Sequence, residues 1–307
     1  MATRKEDSIF LGTQRYAIVT GSNQGIGLEI CRQLASKGVQ VVLTARDKEK
    51  GKAAMKTLEG CSFFKHLVFH QLDVLDPSSI SSLVDFVKSK YGKLDILVNN
   101  AGILGLSVDT NAIESYKNGE ESGYIKWNEI STQPYNLAEQ CIQTNYYGAK
   151  RMTEAFTPLL SLSDAPRIVN VSSSSGKLMF VINEWACNIL NDAKTLSEER
   201  IDEILEVFLK DLKEDSLETK NWPLFLSAYA LSKAAMNAYT RVFAKKHPDY
   251  IINSVCPGHV KTNLSLFTGP LNAEEGARSV VRLALLSSDH GQEHSGQFYF
   301  RDEVSSF

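Results

Sequence analysis

Tyr229 and Lys233 stand four residues apart in the run SAYALSK (227–233). On a helix that spacing puts both side chains on one face. A free phenol ionises near ~10 and a free ammonium near ~10.4. Together they could do proton chemistry: the phenol donates to an oxygen that is gaining negative charge, and the ammonium favours the phenolate left behind. Spacing alone does not decide this, because the same pair often sits on a solvated helix surface. Two further groups bear on it. Four serines, Ser172–Ser175, follow the apolar run PRIVNV, and a hydroxyl there could orient a carbonyl oxygen. Far upstream, TGSNQGIG (20–27) carries glycines at 21, 25 and 27. Such a loop admits a pyrophosphate close to the backbone, and a helix N-terminus behind it supplies free N–H groups and the positive end of a dipole. Its residues Gly21, Ser22, Asn23, Gln24, Gly25, Ile26 and Gly27 are the candidate diphosphate cradle.

These groups need elements to carry them. RYAIVT precedes the glycines as a short strand, and GIGLEICRQLASKG follows as an amphipathic helix stopped at Gly38. Strands are expected at VQVVLTA, HLVFHQLDV, LDILVNNAG, PRIVNVSS, YIINSVCPG and SGQFYF. Helices are expected at DKEKGKAAMKTLEG, PSSISSLVDFVKSKYG, the long YNLAEQCIQTNYYGAKRMTEAFTPLL, AYALSKAAMNAYTRVFAKKH and AEEGARSVVRLALL. Alternating β and α with apolar strands that lack a polar face implies a parallel sheet covered on both sides. The expected fold is one α/β domain over residues 1–307, a doubly wound sheet of the Rossmann type. Residues 1–14 are expected to be a flexible lead-in. Two segments break the rhythm: Leu104–Pro134, and Lys177–Leu226 with its acidic helix SEERIDEILEVFLKDLKED. Both follow strand ends, where ligands bind in this class.

Bulk properties narrow the function. A net charge of -3 gives no electrostatic case for nucleic acid or an anionic membrane. The five cysteines are scattered without a CxxC or a Cys/His cluster, so neither a disulfide framework nor a metal site is expected. No apolar run approaches the ~18 residues of a membrane span, and the start lacks a signal-peptide core. The chain reads as a soluble cytosolic protein.

In dinucleotide folds an acid about 20 residues after the glycines binds the adenosine ribose. Here that place reads LTARD, with Ala45 at the acid position and Arg46 next. A guanidinium suits a 2′-phosphate by charge and fork geometry, which favours NADP(H). Asp47 is the rival: it could bind the ribose, or cap the following helix.

The glycine spacing resembles the TGxxxGIG loop of the short-chain dehydrogenases/reductases. The resemblance extends through NNAG (99–102), NYYG (145–148), VNVSS (169–173), YALSK (229–233) and CPGHVKT (256–262). It implies a catalytic set of Ser173, Tyr229 and Lys233 completed by Asn145, which would bend its helix and hold a water linking Lys233 to solvent. Asp73, with Val74, would meet the adenine; a turn or helix-capping role is the alternative for Asp73. Asn100, Ala101 and Gly102 would run beside the cofactor, while Asn99 would brace the sheet. Pro257, Gly258, Val260 and Thr262 would wrap the nicotinamide, with His259 and Lys261 facing solvent. The serine run leaves the register between Ser172, Ser173 and Ser174 open. Many NADP-using relatives carry a cation in the glycine loop where this chain has Gln24, so Arg46 must carry the preference.

Over fifty residues separate Ser173 from Tyr229, far more than in compact members of the family. Together with NEWA (183–186), LSEER (196–200) and NWP (221–223), this resembles the monomeric carbonyl-reductase branch and its plant subgroup of menthone/neomenthol and salutaridine reductases. There the insert covers helices that other relatives use to form tetramers, which implies a monomer. The acidic insert helix could instead dock a partner. Tyr116, Tyr124, Trp127, Val181, Trp185 and Phe267 could line an apolar substrate pocket. The implied activity is reversible, NADPH-dependent reduction of a ketone on a bulky, terpenoid- or alkaloid-like substrate, by pro-S hydride transfer. Conjugated double-bond reduction and a non-catalytic NADP(H)-binding role are the rivals.

Overall fold

The computed structural model describes residues 14–117, 127–287 and 294–307. The proposed flexible start therefore lies outside the described residues, apart from Gln14. Six strands run parallel through the sheet: β1 (Tyr16–Val19), β2 (Gln40–Ala45), β3 (Leu67–Gln71), β4 (Ile96–Asn99), β7 (Arg167–Val171) and β8 (Ile251–Cys256). β9 (Phe298–Phe300) adds a parallel edge, and β10 (Glu303–Ser305) turns back antiparallel on it. The order is β10-β9-β8-β7-β4-β1-β2-β3. The chain thus builds outward one way from β1 and then the other way from β4. A crevice opens outside the strand ends at that reversal.

Successive strand residues bury on opposite faces, as a sheet covered on both sides requires. Ile18, Val42, Leu97 and Ile168 join one core with α3 (Pro77–Tyr91), α6 (Tyr135–Ile142), α7 (Gly148–Leu160) and α10 (Ser227–Lys246). Their neighbours Val19, Val41, Leu43, Val98 and Val169 join the other core with α1 (Gly25–Ser36) and α11 (Ala273–Ala284). The expected α/β, doubly wound, single-domain architecture is the observed one. A buried polar ladder ties its middle together: Asn99 Nδ2 donates to Thr153 Oγ1 and Asn170 Oδ1, and Asn170 donates on to Thr240. Asn99 is therefore a sheet brace.

The inserts have their own structure. In the first, β5 (Ser107–Val108) pairs antiparallel with β6 (Ser131–Thr132), with α4 (Thr110–Lys117) and α5 (Trp127–Ile130) between them. In the second, α8 (Glu184–Asn191) leads to α9 (Glu198–Lys213). Ile201, Ile204, Leu205 and Phe208 recur at helical spacing on α9 and are all buried in the α6/α10 side of the core. The acidic helix is thus packed on the domain. Among the described residues no helix is long and apolar enough to cross a membrane, and no cluster of potential ligands could hold a metal.

Candidate active site

The glycine loop joins β1 to α1. Gly21 takes φ 60°, a left-handed conformation that disfavours any side chain. A Cβ there would also come 2.9 Å from Ala101 Cα, so the two loops can approach only with glycine at 21. Asn100 pins the arrangement, donating from Nδ2 to the carbonyls of Thr20 and Gly21 at 2.9 and 3.0 Å. Gln24 precedes α1 without capping it, which leaves the first-turn N–H groups of Gly25, Ile26 and Gly27 for an anion.

A cleft of about 840 Å³ runs along this loop. It is lined by Gly21, Asn23, Gln24, Gly25, Ile26 and Gly27, by Arg46, and by Asp73 and Val74. Asn100, Ala101, Gly102 and Thr262 complete the predicted set there. Ser22 is the exception. Its hydroxyl donates to Val19 O at 2.8 Å and accepts from Thr44 N, and its own N–H donates to Thr44 O. With both groups committed to β1 and β2, Ser22 holds the loop from behind and is not free for a ligand. Arg46 is exposed in the cleft, and no hydrogen bond with the described residues engages its guanidinium. Asp47 takes the capping role: its carboxylate accepts from the N–H groups of Glu49 and Lys50 at the start of α2 (Lys48–Thr57). Lys50 and Lys261 also line the cleft, two further cations that nothing in the sequence marks for it. Asp73 lines the cleft, and its carboxylate accepts from Leu75 N in a turn. The glycine cradle, the free helix N-terminus and the cations Arg46, Lys50 and Lys261 fit a phosphorylated dinucleotide such as NADP(H).

The cleft opens into a second cavity of about 420 Å³, and the two share Ile26, Asn100, Gly102, Thr262 and Leu264. Ser173, Tyr229 and Lys233 lie on its wall, as do Pro257, Gly258 and Val260 beyond β8. Ser173 ends the β7 segment and opens a short 3₁₀ turn, Ser174–Gly176, accepting from Ser175 N at 3.1 Å. That turn is pressed onto α10: a Cβ on Gly176 would come 2.6 Å from Lys233 C. Ser173 and Tyr229 line the same cavity, the serine hydroxyl close enough to lower the phenol's pKa in part. Ser172 is buried and donates to Lys233 O, while Ser174 lines the cavity beside Ser173.

Tyr229 and Lys233 share the inner face of α10 and are 8% and 3% exposed, so the solvated-surface reading fails. Lys233 Nζ donates to Val171 O at 2.8 Å and lies 5.8 Å from the centre of the Tyr229 ring. The expected acidic phenol is not what this geometry gives. Burial pushes Tyr229 above its ordinary range, the Ser173 hydroxyl offsets part of that, and the ammonium is directed at the strand instead. Burial also pushes Lys233 down, to about 8.

Asn145 lies in a π-helical turn, Gln143–Tyr147, between α6 and α7. Its carboxamide is fully engaged: Oδ1 accepts from Ile103 N, and Nδ2 donates to Ile103 O and Ser232 Oγ. It ties the loop after β4 to α10 and lines neither cavity. His259 and Lys261 are exposed, but rather than only facing solvent they line the second cavity and the dinucleotide cleft respectively.

The apolar lining differs from the expected one. Leu104, Leu106, Phe225, Leu226 and Leu264 line the second cavity. Val181 is buried in the core, Phe267 borders the dinucleotide cleft, and Trp185 borders neither cavity. Tyr124 and the side chains of Tyr116 and Trp127 lie outside the described residues. Leu and Phe at insert ends carry no periodic signal, so nothing in the sequence marks them as lining.

Known proteins match this arrangement from end to end. The family model for short chain dehydrogenase matches residues 15–184. A (+)-neomenthol dehydrogenase of Arabidopsis thaliana is 57% identical over 297 residues, covering 96% of this chain and 99% of its own length. A (-)-isopiperitenone reductase of Mentha piperita is 48% identical, covering 95% and 98%. The solved structure of salutaridine reductase from Papaver somniferum aligns at TM-score 0.88 and 49% identity, over 94% of this chain and 99% of that one. With the full-length identity and the reversal-point cleft pointing the same way, the chain belongs to the short-chain dehydrogenase/reductase family and is an oxidoreductase.

Proposed function

We propose that the protein reduces a ketone on a bulky apolar substrate, terpenoid- or alkaloid-like, to a secondary alcohol with NADPH, and that the reaction is reversible. One observation carries this reading: Ser173, Tyr229 and Lys233 stand together where the dinucleotide cleft opens into a pocket walled by Leu104, Leu106, Phe225 and Leu226. The names of its relatives, a neomenthol dehydrogenase and an isopiperitenone reductase among them, support the substrate class.

The glycine loop and the first turn of α1 would hold the diphosphate, and Arg46 with Lys50 the 2′-phosphate. Asp73 and Val74 would meet the adenine. Asn100, Ala101 and Gly102 would flank the ribose, and Pro257, Gly258, Val260 and Thr262 the nicotinamide. When bound, NADPH supplies the hydride, from its pro-S face by family resemblance. The chain's own residues do the rest. The hydroxyls of Ser173 and Tyr229 donate to the carbonyl oxygen and stabilise the charge it gains. Tyr229 then gives that oxygen its proton. Burial makes this phenol a weaker acid than a free one, so its donation needs a cation beside the phenolate it leaves. The nearby Lys233 ammonium offsets the phenolate that donation leaves, and is in reach of the ribose side of the cleft beside Gly102. The apolar walls orient the substrate and exclude water.

The test is product identification after incubation with NADPH and a panel of cyclic ketones and enones. An alcohol is expected. A saturated ketone from the enones, with the carbonyl untouched, would indicate double-bond reduction, and NADPH binding without turnover would indicate a non-catalytic protein.

A further inference from the structure

The helix that carries Tyr229 and Lys233 has no cap of its own. Its N-cap residue is Leu226, in a left-handed conformation at φ 52°, with no side-chain hydrogen bond to the first turn. Helices favour Ser, Thr, Asp or Asn there, in extended backbone, because first-turn N–H groups have no partner inside the helix. In this protein the acceptor comes from the other insert. Gln133 Oε1 accepts from Ala228 N–H at 3.1 Å, and Gln133 Nε2 donates to Ser227 Oγ at 2.5 Å. Ser227 is fully buried, so this contact belongs to the interior.

Gln133 directly follows β6, whose partner strand β5 follows Leu104 and Leu106 on one wall of the substrate pocket. Phe225 and Leu226, just before α10, form another part of that wall. One carboxamide therefore joins the base of the first insert to the helix start, immediately ahead of Tyr229. It borders neither cavity itself.

We infer that Gln133 is a positioning residue for proton transfer: by capping α10 from outside, it fixes Tyr229 against Ser173 and makes the placement of the proton donor depend on the docked first insert. The kinetic half rests on the function proposed above, whereas the capping half does not. Glutamate at 133 can keep both contacts, since its carboxylate accepts from Ala228 N–H and from the Ser227 hydroxyl. Leucine keeps the bulk and loses both.

The experiment compares wild type, Gln133→Leu and Gln133→Glu by amide exchange over residues 224–232 and by steady-state kinetics. In Gln133→Leu, exchange at the helix start is expected to rise about five- to tenfold, the size of a lost cap. Turnover of ketone is expected to fall about tenfold, from a displaced donor, with the KM for NADPH unchanged. Gln133→Glu should match wild type in both. Unchanged exchange in Gln133→Leu would overturn the cap. Faster exchange with wild-type turnover would overturn the positioning role, and so would equal losses in turnover and NADPH binding, which mark general structural damage. If wild type itself reduces no ketone, the functional reading and the positioning role fail together, while the exchange result still decides the cap.

Discussion

Burial shifts both titratable groups at the centre of this site. It pushes Tyr229 above its ordinary range, and it brings Lys233 down from 10.5 to about 8. The ammonium is thus present below about 8 and lost as pH rises through that value. Ketone reduction should therefore decline on the alkaline side of about 8, and a pH profile of turnover that stays flat to the alkaline limit would speak against Lys233 acting as a cation. At the far end of the cleft, the Arg46 guanidinium makes no hydrogen bond with the described residues, while the neighbouring Asp47 carboxylate caps α2. Arg46→Ala should raise the KM for NADPH more than that for NADH, about tenfold or more for loss of a charge-assisted phosphate contact. Equal effects on both cofactors would remove the phosphate assignment. These residues differ in how far the sequence reveals them. Tyr229, Lys233 and Ser173 are legible because their types, spacing and place after a strand coincide with one chemistry. Lys50 is not, since nothing separates it in the sequence from the other lysines of a charged helix. Ser22 looks like a ligand by its place in the loop and turns inward because buried Val19 and Thr44 backbone groups need partners.

The elements of the sheet are legible because long apolar runs flanked by glycine and proline leave few alternatives. β1, β2, β4, β7 and β8 all fall inside the expected strands. What escapes is short or concealed. β5, β6 and β10 span two or three residues each, too few for a period. The π-helical turn at Gln143–Tyr147 sits inside an unbroken helical pattern, with only Gly148 at its end to mark it. The course of the second insert depends on a contact no pattern predicts: buried Trp222 donates from Nε1 to the buried Asp211 carboxylate at 2.8 Å. This anchors the chain just before Phe225 and Leu226 reach the pocket. A left-handed leucine such as Leu226 costs roughly 1–3 kcal/mol and persists only where its surroundings enforce it. Trp222→Phe leaves a buried carboxylate without its donor, and should cost about 2 kcal/mol in denaturant unfolding. It should also raise the KM for ketone more than the KM for NADPH. A change under about 0.5 kcal/mol, the level of an ordinary surface substitution, would show that the contact is not an anchor.

For the whole molecule, the main consequence of the second insert is what it covers. α9 lies on α6 and α10 through Ile201, Ile204, Leu205 and Phe208, each worth about 1.5–3 kcal/mol when buried. Lys150 bridges to Glu198 and Asp202, and Lys246 to Glu198. Partly exposed pairs of this kind add roughly 0–1 kcal/mol each, so the apolar face holds the insert and the charges set its register. With those helices covered, the protein should run as a single species of 34.1 kDa in light scattering coupled to size exclusion. A tetramer would mean that α9 leaves the core. The domain architecture is legible from alternation alone, whereas the pocket's apolar lining is not, because Leu104, Leu106, Phe225 and Leu226 come from inserts whose paths no periodic pattern sets. The most direct measurement of the central claim uses NADPH deuterated at the pro-S position of nicotinamide C4, with a cyclic ketone, in wild type and Tyr229→Phe. The account predicts one deuterium on the carbinol carbon in wild type, and turnover about 10²-fold lower in Tyr229→Phe with NADPH binding intact. Undiminished turnover in Tyr229→Phe, or deuterium at a carbon next to an untouched carbonyl system, would contradict it.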